Sequence, residues 1–376
     1  MNSPFIFGKL AIGQSFINRE EEKKRLKNNI LGSNNTMLIS PRRWGKSSLV
    51  RMVAKEVEKE RSDVHFCFID MFNVRTEEEF FELFATEVLK TTSHKWEEWA
   101  ENGKQFIRTL FPRFSFGIDP QNDFTISLDF KQLKKSANEI LNLPEEIAKK
   151  KNIKIVVCID EFQNISFFDE PLALQKKLRS VWQNQSETTY CLYGSKRHMM
   201  TDIFENKSMP FYKFGDTIFL NKIDEKYWLK YIPLQFKRTG KRINKKLAQQ
   251  IAQISENHPY YVQLFSNIVW QKTDENCTDE IVEFALNDLL LQSSILFQRE
   301  TDNLSNTQVN FLKALVDGVE QFSSKETLST YNLGSQGNIK KIKTALESKE
   351  VIDLWGSKIE FLDPIFKIWF ETTYMK

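Results

Sequence analysis

Ser40-Pro41-Arg42-Arg43-Trp44-Gly45-Lys46-Ser47 follows a short apolar run, Thr36-Met37-Leu38-Ile39, and leads into residues 47–59, which have helical spacing. The octet matches G-x-x-x-x-G-K-[ST] at every position but the first, where Ser40 replaces glycine. That spacing has a physical origin. A strand ends, the backbone wraps around an anion, and a helix opens with its unpaired N–H groups facing it. Gly45 permits close backbone approach, Lys46 is expected to bridge the β- and γ-phosphates of ATP, and Ser47 to ligate Mg²⁺. Ser40 suits the turn provided its φ is negative, because only a positive φ there would call for glycine.

A second stretch answers the first. Ile155-Val156-Val157-Cys158-Ile159-Asp160-Glu161 is an apolar strand ending in two carboxylates, and Asp160 lies 114 positions after Lys46. An aspartate at such a strand end can hold Mg²⁺, usually through water. The adjacent glutamate can orient and deprotonate an attacking water. Acid pairs also end strands without function, so it is the combination with the phosphate loop that points to nucleotide hydrolysis.

The surrounding pattern supplies the fold class. Strand signals at 36–39, 64–70, 153–159 and 189–193 alternate with helical stretches at 47–59, 76–91, 131–150 and 170–184, the rhythm of a three-layer α/β domain with a parallel sheet. Residues 16–31 read as an entry loop, Phe16-Ile17-Asn18-Arg19-Glu20, and a further helix with Leu26 and Ile30 at helical spacing and Asn18 as its expected N-cap. Alternation at Phe114-Phe116-Ile118 and Phe124-Ile126-Leu128-Phe130 about a Pro120-Gln121-Asn122-Asp123 turn reads as a β-hairpin within an insertion at about 96–130. Residues 224–295 are helical, punctuated by Pro233 and Pro259. From 305 onward three short helices precede a hairpin (351–354 and 358–362) and a closing helix from Pro364, which is winged-helix order. The expected domains are therefore an ATPase core at 1–222, an all-α lid at 223–295 and a winged helix at 296–376.

Composition narrows the class further. With 376 residues, 41% hydrophobic, the chain can bury more than one core, and 53 basic against 50 acidic residues leave a charge of +3. Apolar runs of membrane-spanning length and a signal-peptide pattern are not found, so a cytoplasmic protein without membrane contact is expected. Cys67, Cys158, Cys191 and Cys277 are scattered, the first three inside strand-like runs, and the four histidines form no metal-binding spacing.

Three segments carry a family resemblance: Phe16-Ile17-Asn18-Arg19-Glu20, Pro41-Arg42-Arg43-Trp44-Gly45-Lys46-Ser47-Ser48-Leu49 and Ile159-Asp160-Glu161-Phe162-Gln163. They resemble the prokaryotic AAA-type P-loop ATPases of the archaeal ATPase family, which is related to STAND switch NTPases and origin-recognition initiators. Gly194-Ser195 resembles that family's sensor 1, Asn257-His258-Pro259-Tyr260-Tyr261 its Gly-His-Pro-Tyr segment, and Asp363-Pro364-Ile365-Phe366-Lys367-Ile368-Trp369-Phe370 the close of its winged helix. The resemblance implies an ASCE-like P-loop core with nucleotide contacts from Pro41, Arg42, Arg43, Trp44, Gly45, Lys46, Ser47 and Ser48. Phe16 and Arg19 would border the adenine, and His258 and Pro259 would bring the lid against the nucleotide. Lys46, Glu161 and Ser195 would act in catalysis, with Ser47 and Asp160 on the metal. Relatives often carry Gly-Arg after Pro-x-Tyr. Here Pro210-Phe211-Tyr212 is followed by Lys213, so an arginine finger is in doubt, with Lys213 and Arg197 as candidates.

Function is open in one respect. Lys340, Lys341 and Lys343 begin a helix that a winged helix would present to DNA, yet residues 296–376 hold ten basic and eleven acidic residues, a net of −1. A protein partner or homo-oligomer contact fits as well as DNA. The readings are an ATP-hydrolysing switch, a DNA-transaction ATPase, and a nucleotide-stabilised scaffold with little turnover.

Overall fold

Val64–Asp70, Lys154–Asp160 and Thr188–Gly194 are runs of seven residues with few exposed positions, as expected of strands covered on both faces. In the computed structural model, which describes residues 3–11, 13–91, 130–356 and 358–375, they join Thr36–Ile39 and Asp216–Phe219 in one sheet. Numbered along the chain, the strands are β1 (Thr36–Ile39), β2 (Val64–Asp70), β3 (Lys154–Asp160), β4 (Thr188–Gly194) and β5 (Asp216–Phe219), in spatial order β2-β3-β4-β1-β5, all pairs parallel. The register aligns Ile39 with Gly194 and Asp70 with Asp160, so every chain exit of interest lies at one sheet edge. β4 sits between the strand that feeds the phosphate loop and the strand that ends in the carboxylates. Its first residues pair with β3, where Cys158 and Cys191 meet as buried free thiols.

Two compact units divide the chain: Arg19–Asn221, and the stretch up to Asn18 joined to everything from Lys222 onward. The first holds the sheet. Its flanking helices are α1 (Glu20–Leu31), α2 (Lys46–Glu60), α3 (Glu77–Thr91), α4 (Phe130–Lys151), α5 (Pro171–Trp182) and α6 (Arg197–Glu205). An aromatic cluster packs one side: Trp182 stacks on Tyr190 with ring centroids 4.1 Å apart, and Phe162 lies 5.7 Å from Phe204 and 5.5 Å edge-on from Phe211. This is where many of the 31 phenylalanines go, as core rather than as surface signal.

The second unit is helical: α7 (Glu225–Arg238), α8 (Lys245–Ile254), α9 (Pro259–Lys272), α10 (Asp279–Asp302), α11 (Asn306–Val316), α12 (Lys325–Thr330) and α13 (Gln336–Ser348). The short antiparallel strands β6 (Ile352–Asp353) and β7 (Glu360–Phe361) follow, and α14 (Pro364–Trp369) runs on into a π-helical turn, Phe370–Tyr374. Asp363 caps α14, accepting from the backbone N–H of Ile365 at 2.9 Å and of Phe366 at 3.0 Å.

Several expectations change here. The N-terminal stretch, grouped with the core by sequence, packs Phe5 against Tyr231 and Phe236 at centroid distances of 6.1 and 5.7 Å. Aromatic burial, not chain continuity, assigns it to the second unit. A boundary near 295 falls within α10, which runs unbroken to Asp302. Asn18 does not cap α1. Arg19 takes the N-cap position with φ 71°, Asn18 is itself left-handed at φ 54°, and the acidic Glu20, Glu21 and Glu22 supply the favourable first turn. Pro233 lies inside α7 instead of ending it, whereas Pro259 opens α9. The hairpin expected at 114–130 lies outside the described residues, apart from Phe130, which begins α4. Among the described residues no helix is long and apolar enough to cross a membrane.

One ion cluster yields a stability prediction. Glu256 lies between Lys367, at 2.9 Å, and Lys222, at 3.2 Å, and Lys222 also reaches Glu360 at 2.9 Å. Burial would raise the Glu256 carboxyl, but the two lysines outweigh it and hold it below its ordinary value. A depressed folded pKa means that the contribution is present above the unfolded value of about 4.3 and is lost as pH falls through the folded one. Glu256→Gln is therefore expected to destabilise the fold by about 1–2 kcal/mol at neutral pH, screening included. Urea unfolding midpoints measured against pH should show that the difference between variant and wild type shrinks below about pH 4.

Candidate nucleotide site

The loop between β1 and α2 takes its shape from two left-handed residues, Arg43 at φ 65° and Gly45 at φ 92°. Ser40, fully buried, is not among the positive-φ positions, so the missing glycine is not missed. Gly45 is the N-cap of α2, and a Cβ there would meet nothing within 4 Å; its backbone conformation, not crowding, calls for glycine. Lys46 opens α2 and is only 6% exposed; Pro41, Trp44 and Ser48 are buried, while Arg42 and Arg43 are exposed.

The loop and the carboxylates converge. The Ser47 hydroxyl donates to Asp160 Oδ2 at 2.7 Å, across 113 positions of chain. Burial lifts the Asp160 carboxyl above its ordinary value; Lys46 and Ser47 pull it down, by less, and Glu161 adds to the rise. Glu161 itself is left-handed at φ 51°, its backbone N–H donating to Asp160 Oδ1 at 2.8 Å. Ser195, just past β4 and 3% exposed, donates from Oγ to Glu161 Oε2 at 2.7 Å, and Arg42 Nε reaches that hydroxyl at 3.5 Å. Lys46, Ser47, Asp160, Glu161, Ser195 and Arg42 thus form one cluster at the sheet edge. Paired hydroxyl and carboxylate oxygens are hard donors that suit Mg²⁺, and a buried lysine at a helix N-terminus suits a polyphosphate.

The remaining candidates have other contacts. Arg19 is buried and anchors backbone, donating to the Trp44 carbonyl at 3.3 Å and the Asn221 carbonyl at 2.6 Å, with Glu22 at 3.0 Å. Phe16, His258 and Pro259 belong to the other unit, where His258 precedes α9 and meets the Tyr261 ring edge at 5.0 Å. Arg197 is 8% exposed and lies over the Trp44 indole at 5.5 Å. Lys213 pairs with Glu205 at 3.3 Å. Sequence reasoning assigned no role to Gln163, which contacts Glu161, nor to the residues that flank Glu161 in a cavity of about 400 Å³, among them Arg75, Asn164 and Lys196. Gln163 did stand inside the quoted carboxylate motif, but no spacing rule flagged it.

This strand order, with a Gly-Lys-Ser loop after β1 and an Asp-Glu pair after β3, defines an ATP-hydrolysing P-loop enzyme of the AAA type. The chain belongs to the family described as an ATPase domain predominantly from Archaea, which matches residues 16–265. Among solved structures it is similar to the Walker-type ATPase PABY2304 of Pyrococcus abyssi, at 16% identity and TM-score 0.67 over 98% of this chain and 99% of that one. The ORC2 protein of Aeropyrum pernix in ADPNP–ADP complexes is similar at 14% identity and TM-score 0.54, over 100% and 98% of the two chains. The ORC1 protein of Aeropyrum pernix in complex with DNA follows at 11% and 0.51, over 100% and 99%. At these identities the likeness is one of fold. A search among curated proteins returned no match.

Proposed function

We propose that the chain is an ATP-driven switch, in which binding and hydrolysis at the Arg19–Asn221 unit set the state of a C-terminal partner-binding module. The observation that carries this reading is the single cluster of Lys46, Ser47, Asp160, Glu161 and Ser195, tied by the Ser47–Asp160 and Ser195–Glu161 hydrogen bonds. In this reading Lys46 holds the β- and γ-phosphates, aided by the backbone from Pro41 to Ser48. Ser47 and Asp160 hold Mg²⁺, which when bound offsets charge developing on the phosphates. Glu161 takes the proton of the attacking water, and Ser195 reports the presence of the γ-phosphate. Phe16, Arg19, His258 and Pro259 serve the nucleoside side. The helices that follow Lys222, up to α10, act as a lid, and the segment after α10, with β6 and β7, acts as a winged helix.

A second reading, a DNA-transaction ATPase, is favoured by one feature. Lys340 and Lys341 are exposed on α13 while Ile339, Ile342 and Leu346 are buried, as on a helix offered to a groove. Against it, Lys343 packs over the Phe322 ring at 5.4 Å. Steady-state ATP turnover with and without duplex DNA separates the readings. Equal turnover is expected for the switch; stimulation that disappears in Lys340→Ala/Lys341→Ala would favour DNA. Wild-type protein that binds ATP but never turns it over would rule out both, leaving a nucleotide-stabilised scaffold.

A further inference from the structure

We propose that Gln163 is a positioning residue for hydrolysis, its carboxamide seated against the bare Cα of Gly194 so that it pins one oxygen of Glu161. The inference rests on the assignment of Glu161 as the proton acceptor and names what aims it.

The local chain makes the arrangement. Glu161 is left-handed, and the short 3₁₀ helix Phe162–Phe167 follows it, which brings the side chain two residues on back against the carboxylate. Gln163 is 1% exposed. Its Nε2 donates to Glu161 Oε2, the same oxygen that accepts from Ser195 Oγ at 2.7 Å. Oε1 of Glu161 accepts no hydrogen bond from the described residues. Two donors from different segments, one beside β3 and one beyond β4, hold one oxygen and leave the other for a proton.

The amide orientation is set by charge. Its oxygen facing the carboxylate would be repulsive, so nitrogen faces Glu161 and oxygen faces away. That leaves Gln163 Oε1 buried without a hydrogen-bond partner among the described residues. A buried polar atom left unpaired opposes folding, and an apolar side chain of the same size would fill the space without that cost. A purely structural position would not retain a glutamine on those terms.

Gly194 makes room for it. A Cβ there would stand 2.0 Å from Gln163 Oε1 and 2.7 Å from Met200 Sδ. Its φ is not positive, so glycine is required by the close approach of Gln163 and Met200 and not by backbone conformation. Gly194 also precedes Ser195 directly, so the strand end that spares space for one donor presents the other.

Gln163→Met keeps the volume and removes the donor. It is expected to lower kcat by ~10–10²-fold, the scale of a slightly misaimed catalytic group, with the KM and Kd for ATP within about twofold and the thermal midpoint retained. Gly194→Ala should show the same split by displacing the carboxamide, yet slow a Gln163→Ala background little further. Glu161→Gln is the control. If it is slow while Gln163→Met turns over at the wild-type rate, the inference fails and the assignment of Glu161 stands. If Glu161→Gln itself turns over normally, both fall. Loss of ATP affinity in step with rate in Gln163→Met, or additive effects of the Gly194 and Gln163 substitutions, would reduce Gln163 to a packing residue and overturn the proposal.

Discussion

Lys46→Ala is expected to lose ATP binding by about 10²-fold or more while the protein stays folded. The loss follows from truncating one partner of a desolvated charge contact, typically 2–5 kcal/mol. Lys46 is 6% exposed, so water cannot replace the missing ammonium once phosphates enter. The fold should survive because a cation in the first turn of α2 opposes the helix dipole when no anion is present. A second effect acts in the same direction: without Lys46, the Asp160 carboxyl rises still further, which weakens metal binding and adds to the loss. Titration with a fluorescent ATP analogue, alongside thermal unfolding, reads both quantities. Wild-type affinity in the variant would remove the loop from the site.

Glu161→Gln should bind ATP normally and hydrolyse it at least ~10²-fold more slowly, the usual scale for removing a general base. The substitution preserves shape, and the amide oxygen can still accept from Ser195 Oγ and Gln163 Nε2. The side chain therefore keeps its place while losing the capacity to take a proton. Single-turnover hydrolysis measured together with equilibrium binding isolates that effect. A wild-type rate with intact binding would show that another group deprotonates the water. Lys46→Ala and Glu161→Gln thus fail in different quantities, one in affinity and one in rate.

The elements that bear the chemistry were legible because their signals are local. Thr36–Ile39 and Val64–Asp70 appear at their expected limits, and β3, β4 and α2 begin within a residue of theirs. Apolar continuity marks a buried strand and a Gly-Lys-Ser turn marks a helix start, each within a few residues of chain. Capping was less legible: Asn18 has the right chemistry for an N-cap, but the backbone turns left-handed there and the cap passes to Arg19. The N-terminal stretch was misplaced because nothing in Phe5 says that its partners are Tyr231 and Phe236.

From residue order alone came the phosphate loop, the carboxylate pair, the parallel α/β class and the kinship with archaeal ATPases. Tertiary structure decided that β4 lies between β1 and β3, and with that the meeting of Ser195 with Glu161, of Ser47 with Asp160 and of Arg19 with the Trp44 carbonyl. Those contacts bridge 34, 113 and 25 positions of chain, beyond the reach of any periodicity. Local conformation is governed by φ, ψ and side-chain pattern over one or two turns. Which strand ends share an edge depends on how whole strands pair, and only the folded sheet expresses it.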